Sequence, residues 1–533
     1  MSHHIHQYVV CAMAVLFCLC AFPKVGFSAE DVQTSETIEN LPPIKGIVFN
    51  DANQNGVLDE GEKGISDVPV SDQTKIVMTD KDGRYELPGA KHVTINVNLP
   101  AQWMAKPNPI TGVPAFYKDF HTEDKGMFKS TGPIPKSVDF ALIERPDADS
   151  KNFKAIIMGD SQLPERHFDA YAGDIVDEII GIDADFVSIL GDISSENLKS
   201  MDKIAALTYH AKKPLFGVIG NHDRDYKATE FSQSSASFKR VFGPDYYSFN
   251  RGDVHFLVLN TVLFNGKGSS YGWGCEKTQL DWIRQDLSMV PNDKLIVMMM
   301  HVPLIHKRGK GACKGLNEIF KMVEDRPLPT LALAGHWHTS GNYVLDESDG
   351  WKGKAPFYLC ILPHACGSWW SGPTDYRNLP LSDQTDGVPN GWTLWEFNGT
   401  QYKCDFKPST HSDTFQARIY TPDMRTIQYG YNGLANDAIL VNAFFTYETA
   451  KLEMSIDDGE WKTMEKENMQ DPFALSSFNG PYASTSAWVP VATCQHMWKG
   501  NTGKLETGYH DVKIRIPQVD GRVIEQGKVF YQY

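Results

Sequence analysis

Positive charge is scarce in this chain of 533 residues, in which 51 lysine and arginine residues stand against 66 aspartate and glutamate residues and the formal net charge is −15. An acidic surface repels the phosphates of nucleic acids and the head groups of anionic lipids. The composition therefore argues against nucleic acid or an anionic membrane as the main partner. Any attraction for a phosphate group must come from local cations or bound metal ions.

Apolar sequence long enough to cross a membrane is also missing near the N-terminus. The run YVVCAMAVLFCLCAF at residues 8–22 has fifteen residues, fewer than the ~20 that a spanning helix needs. No lysine or arginine precedes it, and the small residues Gly26, Ser28 and Ala29 follow it. The pattern predicts a secretory signal peptide over residues 1–28, and hence a periplasmic or secreted protein without a transmembrane anchor after processing. An uncleaved anchor is the alternative.

Cysteine is sparse, with nine residues in the chain, three of them in the predicted signal peptide. The other six are Cys275, Cys313, Cys360, Cys366, Cys404 and Cys494. In an oxidising compartment an even number of cysteines permits disulfides, but the sequence does not choose among the possible pairings. Cys275 and Cys313 are the first candidates, because both lie in glycine-rich loops near predicted strand ends. Buried free thiols are the alternative.

What the chain does contain is a series of five short apolar runs, each followed at once by residues that bind divalent metals. The runs are AIIMGDSQ, FVSILGD, LFGVIGNHD, LIVMMMH and LALAGHWH, and they end on Asp160 and Gln162, on Asp192, on Asn221, His222 and Asp223, on His301, and on His336 and His338. Buried strands of α/β folds deliver polar side chains to one edge of a sheet in this way. A single Gly-Asp or a single histidine is more often a turn or a core residue. Five in series predict a shared metal site.

These blocks resemble those of the calcineurin-like metallophosphoesterases, whose order is Asp-x-His, Gly-Asp, Gly-Asn-His-Asp/Glu, a lone His and Gly-His-x-His. The resemblance covers about residues 150–400, and Gln162 stands where most members have histidine. It implies a central α/β domain over residues 150–400, in which two facing sheets are flanked by helices. Alternating strands and helix-like stretches support this fold class, with helices expected over residues 168–180, 196–211 and 275–289.

The resemblance also implies two metal ions. Asp160, Gln162, Asp192 and His338 would bind the first ion, and Asp192, Asn221, His301 and His336 would bind the second, with Asp192 as the bridge. Gln162 would be a neutral oxygen ligand, or it would weaken the first site. A ligand set of carboxylate, amide and imidazole groups without thiolate favours Mn, Fe or Zn and does not choose among them.

The chemistry that the resemblance implies is hydrolysis of a phosphoric ester. Two cations about 3.5–4 Å apart share a hydroxide and clamp the phosphoryl oxygens, and His222 would assist the leaving group. Asp223 is hypothesised to orient the His222 imidazole. By analogy with exported members of the family, a phosphodiesterase is favoured over a phosphomonoesterase or nucleotidase. A non-catalytic surface protein that binds glycans is the alternative from another class.

Residues 29–43 are polar, end in Pro42-Pro43 and predict a linker. Residues 44–145 show β-type alternation and turn signals, so they predict an N-terminal β-sandwich, which resembles CnaB-like or SdrD-like modules. Within it, Asp51, Asn53, Asn55, Asp59 and Glu62 occupy positions one, three, five, nine and twelve of a calcium loop. A bound Ca²⁺ ion of structural role is one interpretation. The other is a turn rich in Asx residues that folds without metal.

Three loop regions are candidates for the substrate cleft, and one of them, DSQLPERH, begins at Asp160. His306 and Arg308 follow His301, and His364, Trp369 and Trp370 lie in PHACGSWWSG. Neighbouring tryptophans point to opposite faces of an extended chain, so one is expected in the core and one exposed. Because aromatic faces bind sugar or base rings, we expect a small phosphoester substrate that carries a sugar, nucleoside or lipid. A solvated basic loop is the alternative for residues 306–308.

The last predicted domain covers residues 410–533. It contains strand-like segments and no cluster of candidate ligands, which predicts a C-terminal β-sandwich of structural role. The expected fold class is therefore multidomain, with an α/β metallophosphoesterase domain between two β-sandwiches, in line with a chain too long for one hydrophobic core.

Overall fold

The computed structural model describes residues 41–124, 130–266, 268–307, 309, 311–423, 437–480, 483 and 488–533. The predicted signal peptide and most of the predicted linker lie outside these residues. Within them, no helix is long and apolar enough to span a bilayer.

Residues 44–144 form two four-stranded sheets, in the orders β4-β1-β8-β6 and β3-β2-β5-β7. The strands are β1 (Ile44–Asn50), β2 (Pro69–Ser71), β3 (Ile76–Met78), β4 (Arg84–Leu87), β5 (Val93–Val97), β6 (Trp103–Met104), β7 (Tyr117–Phe120) and β8 (Phe140–Glu144). Val48 of β1 and Val97 of β5 belong to one buried cluster, which continues into the central sheets. Apolar side chains of this region are therefore part of a core shared with the next domain.

The central region contains a five-stranded sheet in the order β11-β10-β9-β22-β23 and a six-stranded sheet in the order β12-β13-β16-β19-β21-β20. The strands are β9 (Asn152–Met158), β10 (Phe186–Leu190), β11 (Leu215–Val218), β12 (Tyr247–Arg251), β13 (Val254–Leu259), β14 (Val262–Phe264), β15 (Tyr271–Trp273), β16 (Leu295–Met300), β17 (Ile305–His306), β18 (Gly311–Ala312), β19 (Thr330–Ala334), β20 (Gly341–Leu345), β21 (Phe357–Ile361), β22 (Gly391–Asn398) and β23 (Gln401–Pro408). The pairs β14–β15 and β17–β18 are separate two-stranded hairpins.

The two large sheets pack face to face through aromatic rings. Phe216 of β11 stacks on Phe249 of β12 with ring centroids 4.2 Å apart and an interplanar angle of 9°. Strands β9, β10 and β11 run parallel, as do β13, β16, β19 and β21. Because parallel strands end at the same edge of a sheet, this arrangement brings the polar residues after β9, β10, β11, β16 and β19 to common edges.

Helices cover the outer faces of both sheets. The helices of the central region are α1 (Phe168–Tyr171), α2 (Asp177–Ile179), α3 (Met201–Thr208), α4 (Phe231–Ser234), α5 (Ala236–Phe242), α6 (Lys277–Ser288) and α7 (Leu316–Val323), and α8 (Pro472–Asn479) lies in the C-terminal region. Ile204 of α3 and Val241 of α5 pack with Ile156 of the five-stranded sheet. On the other side, Trp282 of α6 and Phe320 of α7 belong to the cluster of the six-stranded sheet.

Two helix predictions differ from the structure. Residues 168–180 form α1 and α2 with a π-helical turn, Ala172–Val176, between them rather than one continuous helix. Residues 196–211 contain α3 between two 3-10 turns, Leu198–Ser200 and Tyr209–Ala211. The apolar periodicity is present in both segments, but periodicity does not distinguish i→i+3, i→i+4 and i→i+5 hydrogen bonding.

The C-terminal region adds two four-stranded sheets, β24-β25-β29-β28 and β27-β26-β30-β31. The strands are β24 (Ala417–Tyr420), β25 (Ala438–Ala443), β26 (Glu453–Ile456), β27 (Lys462–Thr463), β28 (Glu465–Gln470), β29 (Thr493–Asn501), β30 (Gly508–Pro517) and β31 (Val523–Gln532). Val441 of β25 and Ile514 of β30 share one buried cluster, so the two sheets pack against each other.

The cysteine pairing suggested by the sequence is wrong in this structure. All six cysteines outside the N-terminal segment are buried, and Cys275 and Cys313 are free thiols in the core of the six-stranded sheet. A glycine-rich loop and an even count are compatible with a disulfide, but they are equally compatible with small apolar side chains in a core.

Candidate metal centre

The residues after five different strands meet between the ends of the two central sheets. His301 Nε2 lies 3.0 Å from Asn221 Oδ1, 3.2 Å from Asp192 Oδ2 and 3.1 Å from His336 Nδ1. Asp192, His301 and His336 each offer a ligand atom within 4.8 Å of the others. The four residues predicted for the second ion are therefore adjacent in space.

The histidines of this cluster have their ring nitrogens fixed by hydrogen bonds on the outer side. His301 Nδ1 donates to the carbonyl of Leu190 at 2.9 Å, and His338 Nδ1 donates to the carbonyl of Gly367 at 2.6 Å. His336 Nε2 lies 3.3 Å from the hydroxyl of Tyr271. A hydrogen bond on one ring nitrogen leaves the lone pair of the other for a metal, so Nε2 of His301 and His338 and Nδ1 of His336 are the available ligand atoms.

Among the described residues, the first predicted site contains buried oxygens with no hydrogen-bond partner. Asp160 and Gln162 are 0% and 5% exposed, and neither Asp160 Oδ2 nor Gln162 Oε1 accepts a hydrogen bond from a described residue. His338 Nε2 lies 3.5 Å from that Asp160 oxygen. Buried polar atoms without partners are costly, and a cation would satisfy both oxygens at once. The residues present therefore fit a metal ion.

Several of these residues have a left-handed backbone. Gln162, Asp192, His336 and His338 have φ angles of 28°, 44°, 80° and 51°. Such angles are uncommon for residues other than glycine, and each costs on the order of 1–3 kcal/mol. The turns around these residues also leave no room for side chains on nearby glycines. A Cβ on Gly220, which precedes Asn221, would lie 2.0 Å from the amide nitrogen of Asp192.

Electrostatics at the centre favour positive charge. Burial by itself would raise the pKa of Asp192, but the neighbouring His301 lowers it below the usual range. Burial would lower the pKa of His301, and the carboxylates of Asp192 and Asp160 instead raise it to about 9. Burial lowers the pKa of His338 to about 4, so this imidazole is neutral at pH 7. Two buried carboxylates beside imidazoles form the donor set that a divalent cation requires, and a bound cation would take the place of the proton on His301.

His222 lies at the edge of the cluster, with a side chain that is 26% exposed. Its backbone N–H donates to Asp192 Oδ1 at 2.8 Å, and its Nε2 lies 4.0 Å from Asp192 Oδ2. Its Nδ1 lies 3.4 Å from the hydroxyl of Tyr226 and 3.6 Å from Glu196 Oε1. The other ring nitrogen of His222, Nε2, therefore faces the predicted metal ligands.

The structure does not support the hypothesis that Asp223 orients His222. The Asp223 carboxylate is fully buried and accepts hydrogen bonds from the backbone N–H groups of Ile193, Ser194 and Gly220, at 3.1, 3.0 and 2.9 Å. It therefore joins the loops after β10 and β11. Glu196 and Tyr226 contact the His222 ring in its place.

The residues predicted for the substrate cleft have different locations. Trp369 is half-buried and stacks on His338 with ring centroids 3.9 Å apart, and His306 packs on the ring of Trp337 at 4.6 Å. Trp370 is a core residue, 1% exposed, whose indole N–H donates to the carbonyl of Ser161. Both tryptophans have positive φ, so the chain turns here and the argument from an extended chain does not apply. Arg308 lies outside the described residues.

His364 is not a cleft residue. It is completely buried, stacks on His338 at 4.9 Å and has its Nε2 3.2 Å from Asp160 Oδ1. The sequence PHACG resembles an exposed loop, but a β-bridge between Gly159 and His364 pairs this loop with the end of β9.

Three residues at the centre were not predicted. Tyr271 contacts His336, and the guanidinium of Arg224 lies 5.3 Å from the centre of the Tyr271 ring. Among the described residues no carboxylate lies within 4 Å of Arg224, whose hydrogen bonds go to backbone carbonyls. Trp488 of the C-terminal region is 58% exposed and packs on Trp369, with ring centroids 5.1 Å apart. Arg224 follows the GNHD block directly and was open to prediction, whereas Trp488 carried no local signal.

The predicted calcium loop has its oxygen donors grouped together. The side-chain amides of Asn53 and Asn55 both donate to Asp59 Oδ2 at 2.7 Å, and the buried Asp51 accepts from the N–H groups of Asn55 and Gly56. Glu62 accepts from the N–H groups of Ala52 and Asp59. These contacts are those of an Asx-rich turn, so the Ca²⁺ ion stays a prediction.

Three family models match the chain in consecutive blocks. The model described as calcineurin-like phosphoesterase matches residues 153–340, its N-terminal counterpart matches residues 52–131, and its C-terminal counterpart matches residues 363–523. The chain contains the core, N-terminal and C-terminal domains of a calcineurin-like phosphoesterase. The core match contains all seven predicted metal ligands and His222.

Individual relatives are more distant. The chain is 24% identical over 158 residues to a 3',5'-cyclic-nucleotide phosphodiesterase of Nostoc sp., which covers 29% of this chain and 56% of that protein. The chain thus spans about half the length of this curated relative. Among solved structures, a purple acid phosphatase from yellow lupin (Lupinus luteus) seeds is 13% identical, covers 69% of this chain and 66% of its own, and has a TM-score of 0.36.

A second solved structure is GAP50, the anchor in the inner membrane complex of Plasmodium. It is 13% identical, covers 49% of this chain and 85% of its own, and has a TM-score of 0.31. Both scores are too low to establish a shared overall fold.

Proposed function

We propose that the protein is an exported phosphodiesterase that works with two metal ions. The observation that carries this proposal is the meeting of Asp160, Asp192, Asn221, His301, His336 and His338 at one point, with the partly exposed His222 beside them. When bound, the two ions supply a water nucleophile at neutral pH and positive charge for the phosphoryl oxygens.

The protein's own side chains orient the substrate and handle its protons. His222 Nε2 faces the predicted ligands, so a proton at this atom can be donated to the leaving oxygen as the ester bond breaks. Glu196 and Tyr226 contact Nδ1 and hold the ring in place. The buried guanidinium of Arg224, with no carboxylate partner among the described residues, adds positive charge that favours an anionic substrate.

Preference for a diester is supported by the relative in Nostoc, a cyclic-nucleotide phosphodiesterase by name. The test uses purified protein loaded with Mn²⁺, Zn²⁺ or Fe²⁺ in turn. We expect kcat/KM for bis-p-nitrophenyl phosphate to exceed that for p-nitrophenyl phosphate with at least one metal. Faster monoester turnover would favour the phosphomonoesterase alternative, and inactivity with every metal and a broad set of phosphoesters would favour a non-catalytic protein.

Export rests on the sequence of residues 1–28 alone. Expression of the full chain in a Gram-negative host, followed by N-terminal sequencing of the periplasmic fraction, tests it. We expect the mature chain to begin near Ala29, and an intact Met1 in the cytoplasm would contradict export.

A further inference from the structure

A buried segment, residues 383–388, lies between the metal ligands and the C-terminal sheets. The N–H and the hydroxyl of Thr385 both donate to the carbonyl of His338, at 3.0 and 2.9 Å. Gln384 Oε1 accepts a 2.7 Å hydrogen bond from His364 Nδ1. His364 in turn has its Nε2 3.2 Å from Asp160. The segment therefore contacts His338, which would bind the first ion. It also contacts His364, whose imidazole contacts Asp160, another predicted ligand of the same ion.

The other side of the segment is held by the C-terminal region. His496 of β29 contacts Asp386 Oδ2 at 3.0 Å through Nε2 and Asn442 Oδ1 at 2.7 Å through Nδ1. The side-chain amide of Asn442 donates to the carbonyl of Asp386 at 2.9 Å. The N–H of Ala492 donates to the carbonyl of Thr385 at 2.9 Å.

The network is closed from water, since Gln384, Asp386, Asn442 and His496 are each at most 2% exposed. Asp386 Oδ2 also accepts from the N–H of Ser340, two residues after His338. Buried hydrogen bonds of this kind are costly to break, because each leaves a desolvated polar atom without a partner. His338 has a left-handed backbone, and the two hydrogen bonds to its carbonyl hold it there.

The contacts are asymmetric with respect to the two predicted ions. Within the part of the chain that the structure describes, no hydrogen bond joins residues 383–388 to Asn221, His301 or His336. Partners of metal ligands set the orientation and basicity of those ligands, and their loss typically weakens metal binding by about 10–100-fold. A change in the segment should therefore affect the first ion and not the second.

We propose that the C-terminal domain helps to position the ligands of the metal centre. In this proposal Gln384, Thr385 and His496 are positioning residues that set the affinity of the first metal ion. The inference rests on the proposed two-metal function. It assigns the domain a role other than the structural one that the sequence predicts.

The proposal is tested by measuring metal binding in variants of the segment. Thr385→Val removes only the hydroxyl donor, and Gln384→Met removes the acceptor for His364. His496→Leu tests the C-terminal side. Tyr447→Phe is the matched control, because the Tyr447 hydroxyl donates to the carbonyl of Val519, its ring packs on Tyr358, and among the described residues it makes no hydrogen bond to the segment. Each full-length variant is titrated with Mn²⁺ by calorimetry, and electron paramagnetic resonance distinguishes coupled from isolated Mn²⁺.

We expect two tight sites and a coupled spectrum in the wild type and in Tyr447→Phe. We expect one site weakened about 10–100-fold, and the spectrum of isolated Mn²⁺, in Thr385→Val, Gln384→Met and His496→Leu. Gln384→Glu keeps the acceptor for His364 and should restore the second tight site. Two tight sites in both Thr385→Val and Gln384→Met would overturn the inference, and two tight sites in His496→Leu would overturn the role of the C-terminal domain. Either result would leave the proposed function intact. A wild type that binds no metal would instead overturn the proposed function, and with it this inference.

Discussion

The carboxylate of Asp223 accepts a hydrogen bond of 3.0 Å from the backbone N–H of Ser194, across the gap between the loops after β10 and β11. Burial, and next the negative charge of Asp192, raise the pKa of Asp223 to about 6. The loop after β10 carries Asp192 and the loop after β11 carries Asn221. Asp223 therefore fixes the distance between two predicted ligands.

Asp223→Asn should lower the free energy of unfolding. Its effect on the turnover rate of correctly folded, metal-loaded protein should be smaller. The amide cannot accept all three backbone hydrogen bonds without directing its own N–H groups at other donors, and we expect a loss of about 1.5–3 kcal/mol in the free energy of unfolding. Urea unfolding monitored by circular dichroism measures this. Unchanged stability with slow turnover at normal metal content would restore the hypothesis that Asp223 acts through His222.

His222→Asn should reduce kcat by about 10²–10⁴-fold while leaving metal content unchanged, since the lost group handles a proton. The reduction should be larger for an alkyl ester than for a p-nitrophenyl ester, because p-nitrophenolate leaves without a proton. His210→Asn, at an exposed position, is the matched control. An equal loss with both leaving groups would argue against a role as general acid.

Gln162→Leu should weaken binding of one metal ion, because the unpartnered Oε1 is replaced by a methyl group. Gln162→His, which introduces the residue common in the family, should keep both sites. Mn²⁺ bound per chain after dialysis gives the result. Full occupancy in Gln162→Leu would remove Gln162 from the ligand set.

Trp488→Ala should raise KM severalfold for substrates with an aromatic leaving group and leave KM for a methyl ester unchanged, because the exposed ring beside Trp369 offers a stacking surface. Tyr376→Ala is the control, since Tyr376 is 97% exposed. An equal change for both esters would contradict an aromatic subsite.

Calcium should stabilise the protein if the loop from Asp51 to Glu62 binds it. A ligand at 100 times its dissociation constant adds about 2.7 kcal/mol to the folded state. Scanning calorimetry with excess Ca²⁺ and with EGTA should show a higher Tm in Ca²⁺, and Glu62→Gln should remove most of the difference. Equal Tm values in the wild type would favour the metal-free turn.

The parts of the fold that the sequence predicted are those with strong local signals. The helix expected over residues 275–289 appears as α6, and Trp282 of this helix lies in the core. The strands that precede Asp160, Asp192, Asn221, His301 and His336 are present and fully buried at their last residues. The direction of the Asp223 carboxylate and the burial of His364 were not accessible, because their partners are about 30 and 200 residues away in sequence.

By itself the sequence determined which residue types follow the strands of the central sheets, and hence the chemistry of the donor set, since a strand and the polar residues after it are adjacent in the chain. Only the tertiary structure decided which ring nitrogens face the centre, that Trp370 and His364 are buried, and that Trp488 and His496 of the C-terminal region lie close to the site. Those features depend on long-range packing and on hydrogen bonds between distant segments, for which no short stretch of sequence carries a signal.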